Sequence, residues 1–168
     1  DMYSGGSTGH WDNGFSDITV PLCGGIDKDV FKGAICHEIG HGFGRLADEY
    51  LVSDEILTIP QEEIIIMKEK QKQGWYSNIA FTNDLEQISW HSFIKDNRYD
   101  GEELGAYEGA IYKFGIFRPT KNSIMNGGND GGYNAPSRLS IYIRIMELSG
   151  EAYSYDKFIE YDSINRHF

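Results

Sequence analysis

The stretch FKGAICHEIGHGFGRLADEY, residues 31–50, constrains this chain more than any other, because His37-Glu38-Ile39-Gly40-His41 at its centre sets two imidazoles four residues apart. On an α-helix, positions i and i+4 share a face one turn apart, so His37 and His41 can present two ring nitrogens to one metal ion. Glu38 then projects beside that ion, where its carboxylate can take a proton from water that the metal acidifies. The flanking residues suit a helix. Asp27 or Asp29 can cap its start, Val30, Phe31, Ile35 and Ile39 supply apolar positions, and Gly42 and Gly44 end it. The histidines fall in the last turn, where the negative end of the helix dipole favours a cation.

A catalytic zinc takes three protein ligands and keeps a fourth position for water, so one ligand remains to be found. In the pattern H-E-x-x-H-x-x-G-x-x-H, a glycine three residues after the second histidine turns the chain back toward the metal. Gly44 stands there. The third-ligand position of that pattern falls on Ala47, which cannot bind zinc, whereas Asp48, one residue later, can. Asp48 is the leading candidate and Glu49 the next. A different arrangement draws a glutamate from a second helix, where Glu62 and Glu63 are available, although acidic residues at a helix start also serve the dipole. His10, in a Gly-rich stretch, is a more distant candidate, and His91 and His167 read as surface or packing residues.

With 168 residues the chain has the size of one domain, taken as 1–168, and can bury a core. A net charge of -11 opposes nucleic acid and anionic membrane surfaces as partners, and no apolar run approaches the length of a membrane span. Cys23 and Cys36 are too few for a disulfide framework and are expected to be free thiols. No signal peptide is visible, and the start on Asp1 suggests a trimmed or mature fragment.

Elsewhere, residues 1–16 read as loop with a short edge strand, and Ile18 to Leu22 as a strand. Thr58 and Pro60 predict the cap and first turn of a second helix that Gly74 stops, its buried face widened by the run Ile64 to Met67. Residues 75–90 carry no clear period and read as loop with short strands. Residues 101–126 mix aromatic residues and glycines in a manner that suits strands and turns around a pocket. Pro136 opens a helix with Leu139, Ile143 and Met146 on one face and Gly150 at its end, and Asp156 can cap a last helix through Phe158 and Tyr161.

HEIGHGFGRLADEY and, downstream, LGAYEGAIYKFGIFRPTKNSIMN together resemble the two blocks of the bacterial IgA-peptidase family of zinc metallopeptidases. The matching residues are Leu46 to Tyr50, Glu108 to Tyr112, Arg118 with Pro119, and Ser123 to Met125. WYSNIAFTNDLEQISW, with Trp75, Asn78 and Trp90, resembles the segment between them. The resemblance covers about residues 30–160 and is far more specific than the histidine motif alone. It implies an α+β, metzincin-like zincin catalytic domain, its active-site helix packed on a small mixed sheet and followed by C-terminal helices. It makes Ser123-Ile124-Met125-Asn126 a Met-turn whose Met125 forms an apolar floor beneath the metal. Fewer than 30 residues precede the helix where a metzincin places several strands, so either upstream sequence is expected or the sheet is reduced.

The expected chemistry is zinc-dependent hydrolysis of peptide bonds in protein substrates. Zn²⁺ would be held by His37, His41 and Asp48, with Glu38 as base and then acid. Tyr112, Tyr133 and Arg118 are candidates to stabilise the oxyanion, and Glu108 to shape the pocket. The resemblance raises immunoglobulin or host glycoprotein as substrates and a secreted, cell-surface or periplasmic location. A rival of another class is an inactive module of the same fold that binds glycan or protein, against which the intact His-Glu-His set argues. A structural zinc site is the other rival, but such sites close with four ligands, many of them Cys, and neither cysteine stands at ligand spacing.

Overall fold

The computed structural model describes residues 6–10, 16–19, 28–52, 55–127 and 132–165. They form a mixed α and β structure compatible with the α+β class. Strands β1 (Ser7–His10) and β2 (Ser16–Thr19) pair antiparallel, Ser7 opposite Thr19 and His10 opposite Ser16. Helix α1 (Lys28–Gly42) carries the histidine motif, and both strands pack against it. The strand expected at 18–22 is thus seen as Ser16–Thr19, and 20–27, including Cys23, lie outside the described residues. Cys36 is a free thiol.

Helix α2 (Gln61–Gln71) starts later than its sequence suggests, with Pro60 in the N-cap position and no side-chain cap. Pairing overrides the local signal. Thr58 forms a parallel bridge with Phe114, and the Ile59 N–H donates to the Phe114 carbonyl, so the chain is still extended where a Thr cap would stand. Within α2 only Met67 is buried. Ile65 and Ile66 are 55% and 57% exposed, so the apolar run does not widen the packed face as expected. Neighbouring helical residues point about 100° apart, and one partner surface covers only part of that arc.

Residues 75–90 form turns with a single bridge, Ala80 to Phe117, before the short helix α3 (His91–Ile94) and a 3-10 helix (Asn97–Glu102). Strands β3 (Tyr107–Ala110) and β4 (Tyr112–Arg118) make a tight antiparallel hairpin whose register shifts between Glu108 and Ala110. Gly109 at φ 101° and Ile111 at φ 56° carry the reversal. Arg118 braces it by donating to the carbonyls of Glu108, Gly109 and Thr120.

Helix α4 (Ala135–Ser149) is capped by Asn134, whose side chain accepts from the Ser137 N–H, and Pro136 sits in its first turn, where no amide donor is needed. Helix α5 (Tyr155–Asn165) has Ser154 accepting from the Lys157 N–H at 3.4 Å, the cap role the sequence suggested for Asp156. Trp90, Phe93, Tyr99, Tyr142, Phe158 and Ile159 form the core between α3, α4 and α5, and a second core joins α2 to the β3–β4 hairpin through Ile59, Met67, Ile79 and Ile116. A third cluster, Leu46, Ile124 and Met125, lies against α1. No helix among the described residues is long and apolar enough to cross a membrane.

Candidate metal centre

Helix α1 ends in a turn built for return. Arg45, at φ 54°, takes the left-handed conformation, and the N–H groups of Arg45 and Leu46 donate to the carbonyls of His41 and Gly40. These bonds satisfy carbonyls that a helix end leaves without partners. Gly44 contributes closeness instead of the left-handed twist, since a Cβ there would stand 2.8 Å from the Gly40 carbonyl oxygen. The returning chain brings Asp48 against the histidine pair.

His37 Nε2 and His41 Nε2 lie 3.0 Å apart, and Asp48 Oδ1 lies 3.1 Å from the first and 3.2 Å from the second. His37 Nδ1 faces the Ile124 carbonyl at 2.9 Å and His41 Nδ1 faces the Leu46 carbonyl at 2.8 Å. A carbonyl only accepts, so both Nδ1 atoms carry hydrogen, and in the neutral rings both Nε2 atoms present lone pairs. Two imidazole lone pairs and a carboxylate oxygen thus converge, an arrangement that repels itself until a proton or a cation enters. Asp48 Oδ1 is buried, and the two histidine Nε2 atoms face it. Four-coordinate zinc, with ligand distances of roughly 2.0–2.2 Å, sets its donor atoms about 3.3 Å apart, close to the separations seen here. The donor set therefore fits a small divalent cation. Among the described residues, His37, His41 and Asp48 are the group of His, Cys, Asp or Glu placed to hold one.

The electrostatics agree. Burial opposes charge on Asp48, but hydrogen bonding and charge from His37 and His41 outweigh it and hold the carboxyl well below the usual carboxylate range. Burial likewise works against His41, and Asp48 overcomes it to raise the imidazole above its ordinary value.

Glu38 lines the same cleft, of about 380 Å³, and is only 4% exposed. β1 lies across it: Thr8 Oγ1 donates to Glu38 Oε2 at 2.7 Å, and a Cβ on Gly6 would meet Glu38 Cγ and Oε1 at 2.6 Å. Met125 is fully buried against α1. A Cβ on Gly40 would stand 2.5 Å from its Sδ, so the glycine between the histidines lets the methionine lie close. Met125 sits in a 3-10 helix (Ile124–Asn126) capped by Ser123, and Gly127 closes it at φ 73°.

The other sequence candidates are not brought to the three donors. Glu49 turns into the core, where Ser123, Asn78 and Asn134 donate to it. Glu62 is exposed at the start of α2, and Glu63 lines the cleft wall, where it accepts from Tyr112 OH at 2.5 Å. His10 stacks edge-on against Trp75 at the cleft margin, His91 opens α3, and His167 lies outside the described residues. Tyr133 OH donates to the Cys36 carbonyl, its ring packs with Met125, and it does not line the cleft. Arg118 and Glu108 serve the hairpin, Glu108 accepting from the Gly115 N–H. Tyr50 lines the cleft, with its ring 5.8 Å from that of His37, and is 39% exposed. Its only sequence signal was its closeness to Asp48, two residues before it.

No family model matches the chain, and no curated protein matches it.

Proposed function

We propose that this protein is a zinc-dependent endopeptidase. The observation that carries the reading is the convergence of His37, His41 and Asp48 on one point in a cleft that Glu38 also lines. Zn²⁺ held by those three residues would supply Lewis acidity, polarising a scissile carbonyl and acidifying water. Glu38 accepts the proton from the attacking water and returns it to the leaving nitrogen, the two-way use of one carboxylate that peptide hydrolysis requires. Thr8 holds Glu38 Oε2 through its hydroxyl and so orients the base. Tyr50 is the phenol of the cleft wall beside His37 and the better candidate to steady the oxyanion. Tyr112 acts through Glu63 at the wall.

A metzincin-like fold is supported by the turn after α1, the methionine beneath Gly40 and the helix α4 that follows. Resemblance to the IgA-peptidase family supports protein substrates, immunoglobulins or host glycoproteins among them, and a secreted or surface location. The test is digestion of a broad peptide library by the wild type, by Glu38→Gln and by chelator-treated protein with and without added Zn²⁺. Cleavage by the wild type alone, lost on chelation and restored by zinc, is expected. Cleavage that persists in Glu38→Gln, or zinc binding with no cleavage at all, overturns the reading, and the second outcome favours a binding module.

A further inference from the structure

Glu49 is fully buried beside the metal-binding residue Asp48 and has no part in the chemistry above. Its surroundings are all donors. Ser123 Oγ gives a hydrogen to Oε2 at 2.6 Å, Asn78 Nδ2 gives one to Oε1 at 2.9 Å, and Asn134 Nδ2 spans both oxygens at 3.1 Å. The amide orientations are set independently, because Asn78 Oδ1 accepts from the Ala47 N–H and Asn134 Oδ1 from the Ser137 N–H. Four separate pieces of chain therefore meet at one carboxylate: the 46–50 segment, the turn at Asn78, the 3-10 turn at Ser123 and the start of α4. A buried carboxylate costs a great deal unless paired or fully hydrogen-bonded, and a fully satisfied one fixes the pieces of chain that meet at it.

We propose that Glu49 is the positioning residue of the metal centre, fixing where Asp48 and His37 stand; this rests on the reading that His37, His41 and Asp48 bind zinc. Anchoring Glu49 in the core fixes the backbone beside it, and the neighbouring Asp48 carboxylate stands against the two histidines. The peptide on either side is held as well. Asn78 bonds both the N–H and the carbonyl of Ala47, and the Glu49 N–H donates to the Met125 carbonyl at 2.8 Å. The turn that grips Glu49 through Ser123 also grips His37 through the Ile124 carbonyl. Through Ser123, 74 residues on from Glu49, one side chain thus links the segment of the carboxylate ligand to the turn that holds the first imidazole. Residues that orient metal ligands in this manner typically cost 10–100-fold in affinity when removed.

The test measures zinc affinity by competition with a chromogenic chelator and melting temperature with and without zinc, for full-length Glu49→Ala, Glu49→Gln and Ser123→Ala. Glu49→Ala is expected to weaken zinc binding at least tenfold. Glu49→Gln keeps the shape and an acceptor for the two asparagines, and is expected to recover most of that loss. Ser123→Ala removes one donor with little change in volume and falls between, which keeps the test open if Glu49→Ala does not fold. Phe158→Leu, in the distant α3–α5 core, is the control for lost stability alone and should leave zinc affinity unchanged. If the wild type binds zinc and Glu49→Ala or Ser123→Ala loses only melting temperature, as the control does, the proposal is wrong and the metal reading stands. If the wild type binds no zinc, both fall together.

Discussion

Gly40→Ala separates local propensity from tertiary contact. Gly40 lies in the last turn of α1, where alanine is still intrinsically better than glycine by up to about 1 kcal/mol, so propensity alone predicts stabilisation. The packing predicts the opposite. The new methyl would stand 2.5 Å from Met125 Sδ and 3.1 Å from Tyr133 Cε1, and Met125 is enclosed by Leu46, Ile124 and Ile141 with no exposed surface to retreat to. Overpacking of this kind costs about 1–3 kcal/mol, which cancels or exceeds the propensity gain and leaves the variant up to about 2 kcal/mol less stable. In a protein of this size that lowers the melting temperature by as much as roughly 8 °C. Met125→Ala supplies the decisive background. It leaves a cavity costing about 2–5 kcal/mol, and the methyl then has room, so Gly40→Ala should stabilise the double variant by about 1 kcal/mol. The coupling between the two sites is then about 1–3 kcal/mol, measured by urea unfolding of the four metal-free proteins. Additivity within about 0.5 kcal/mol would refute the close approach of Met125 to the helix.

Three more outcomes are expected. Zinc affinity should weaken as pH falls: Asp48 raises His41 above its ordinary value of 6.5, and the ring must shed that proton to bind, so the loss begins above pH 6.5. The metal-free fold responds with the opposite sign, its His41–Asp48 contribution being complete below pH 6.5 and lost as pH rises through the raised value. A zinc affinity that stays flat between about pH 6 and 8 would contradict this. Gly6→Val should lower peptidase activity through the clash with Glu38 while leaving zinc affinity within about twofold, and equal loss of both would place β1 elsewhere. Arg138 bonds Glu102 and Asp162, whose side chains are 7% and 3% exposed, at 2.6 Å, so Arg138→Ala should cost about 3–5 kcal/mol in urea unfolding with zinc affinity retained, and a cost under about 1 kcal/mol would show the pair to be solvated.

The helices were largely legible because their signals are local. The i, i+4 histidines, Gly150 after α4 and Gly74 after α2 all act within one or two turns. Boundaries slipped where another segment competed for the same backbone: Thr58 was drawn to Phe114, and Ser154 took the cap expected of Asp156. The one-residue shift from Ala47 to Asp48 was readable from ligand chemistry, since alanine has no donor atom. That Arg45, not Gly44, takes the left-handed turn was not readable, because glycine is the usual choice and only the close packing on the Gly40 carbonyl explains its place.

Sequence alone determined the helix, the two imidazoles on its face and the carboxylate between them, since helical periodicity needs nothing beyond the chain's own next turn. Tertiary structure decided the rest of the centre. Which carboxylate meets the histidines, which proton each ring keeps and which phenol faces the cleft depend on contacts such as His37 to Ile124, 87 residues apart. Motif spacing ranked Asp48 ahead of Glu49, but the two are neighbours of similar chemistry and only their surroundings separate them. Ser123, Asn78 and Asn134 distinguish them by holding Glu49 in the core, while Asp48 stands against the two histidines.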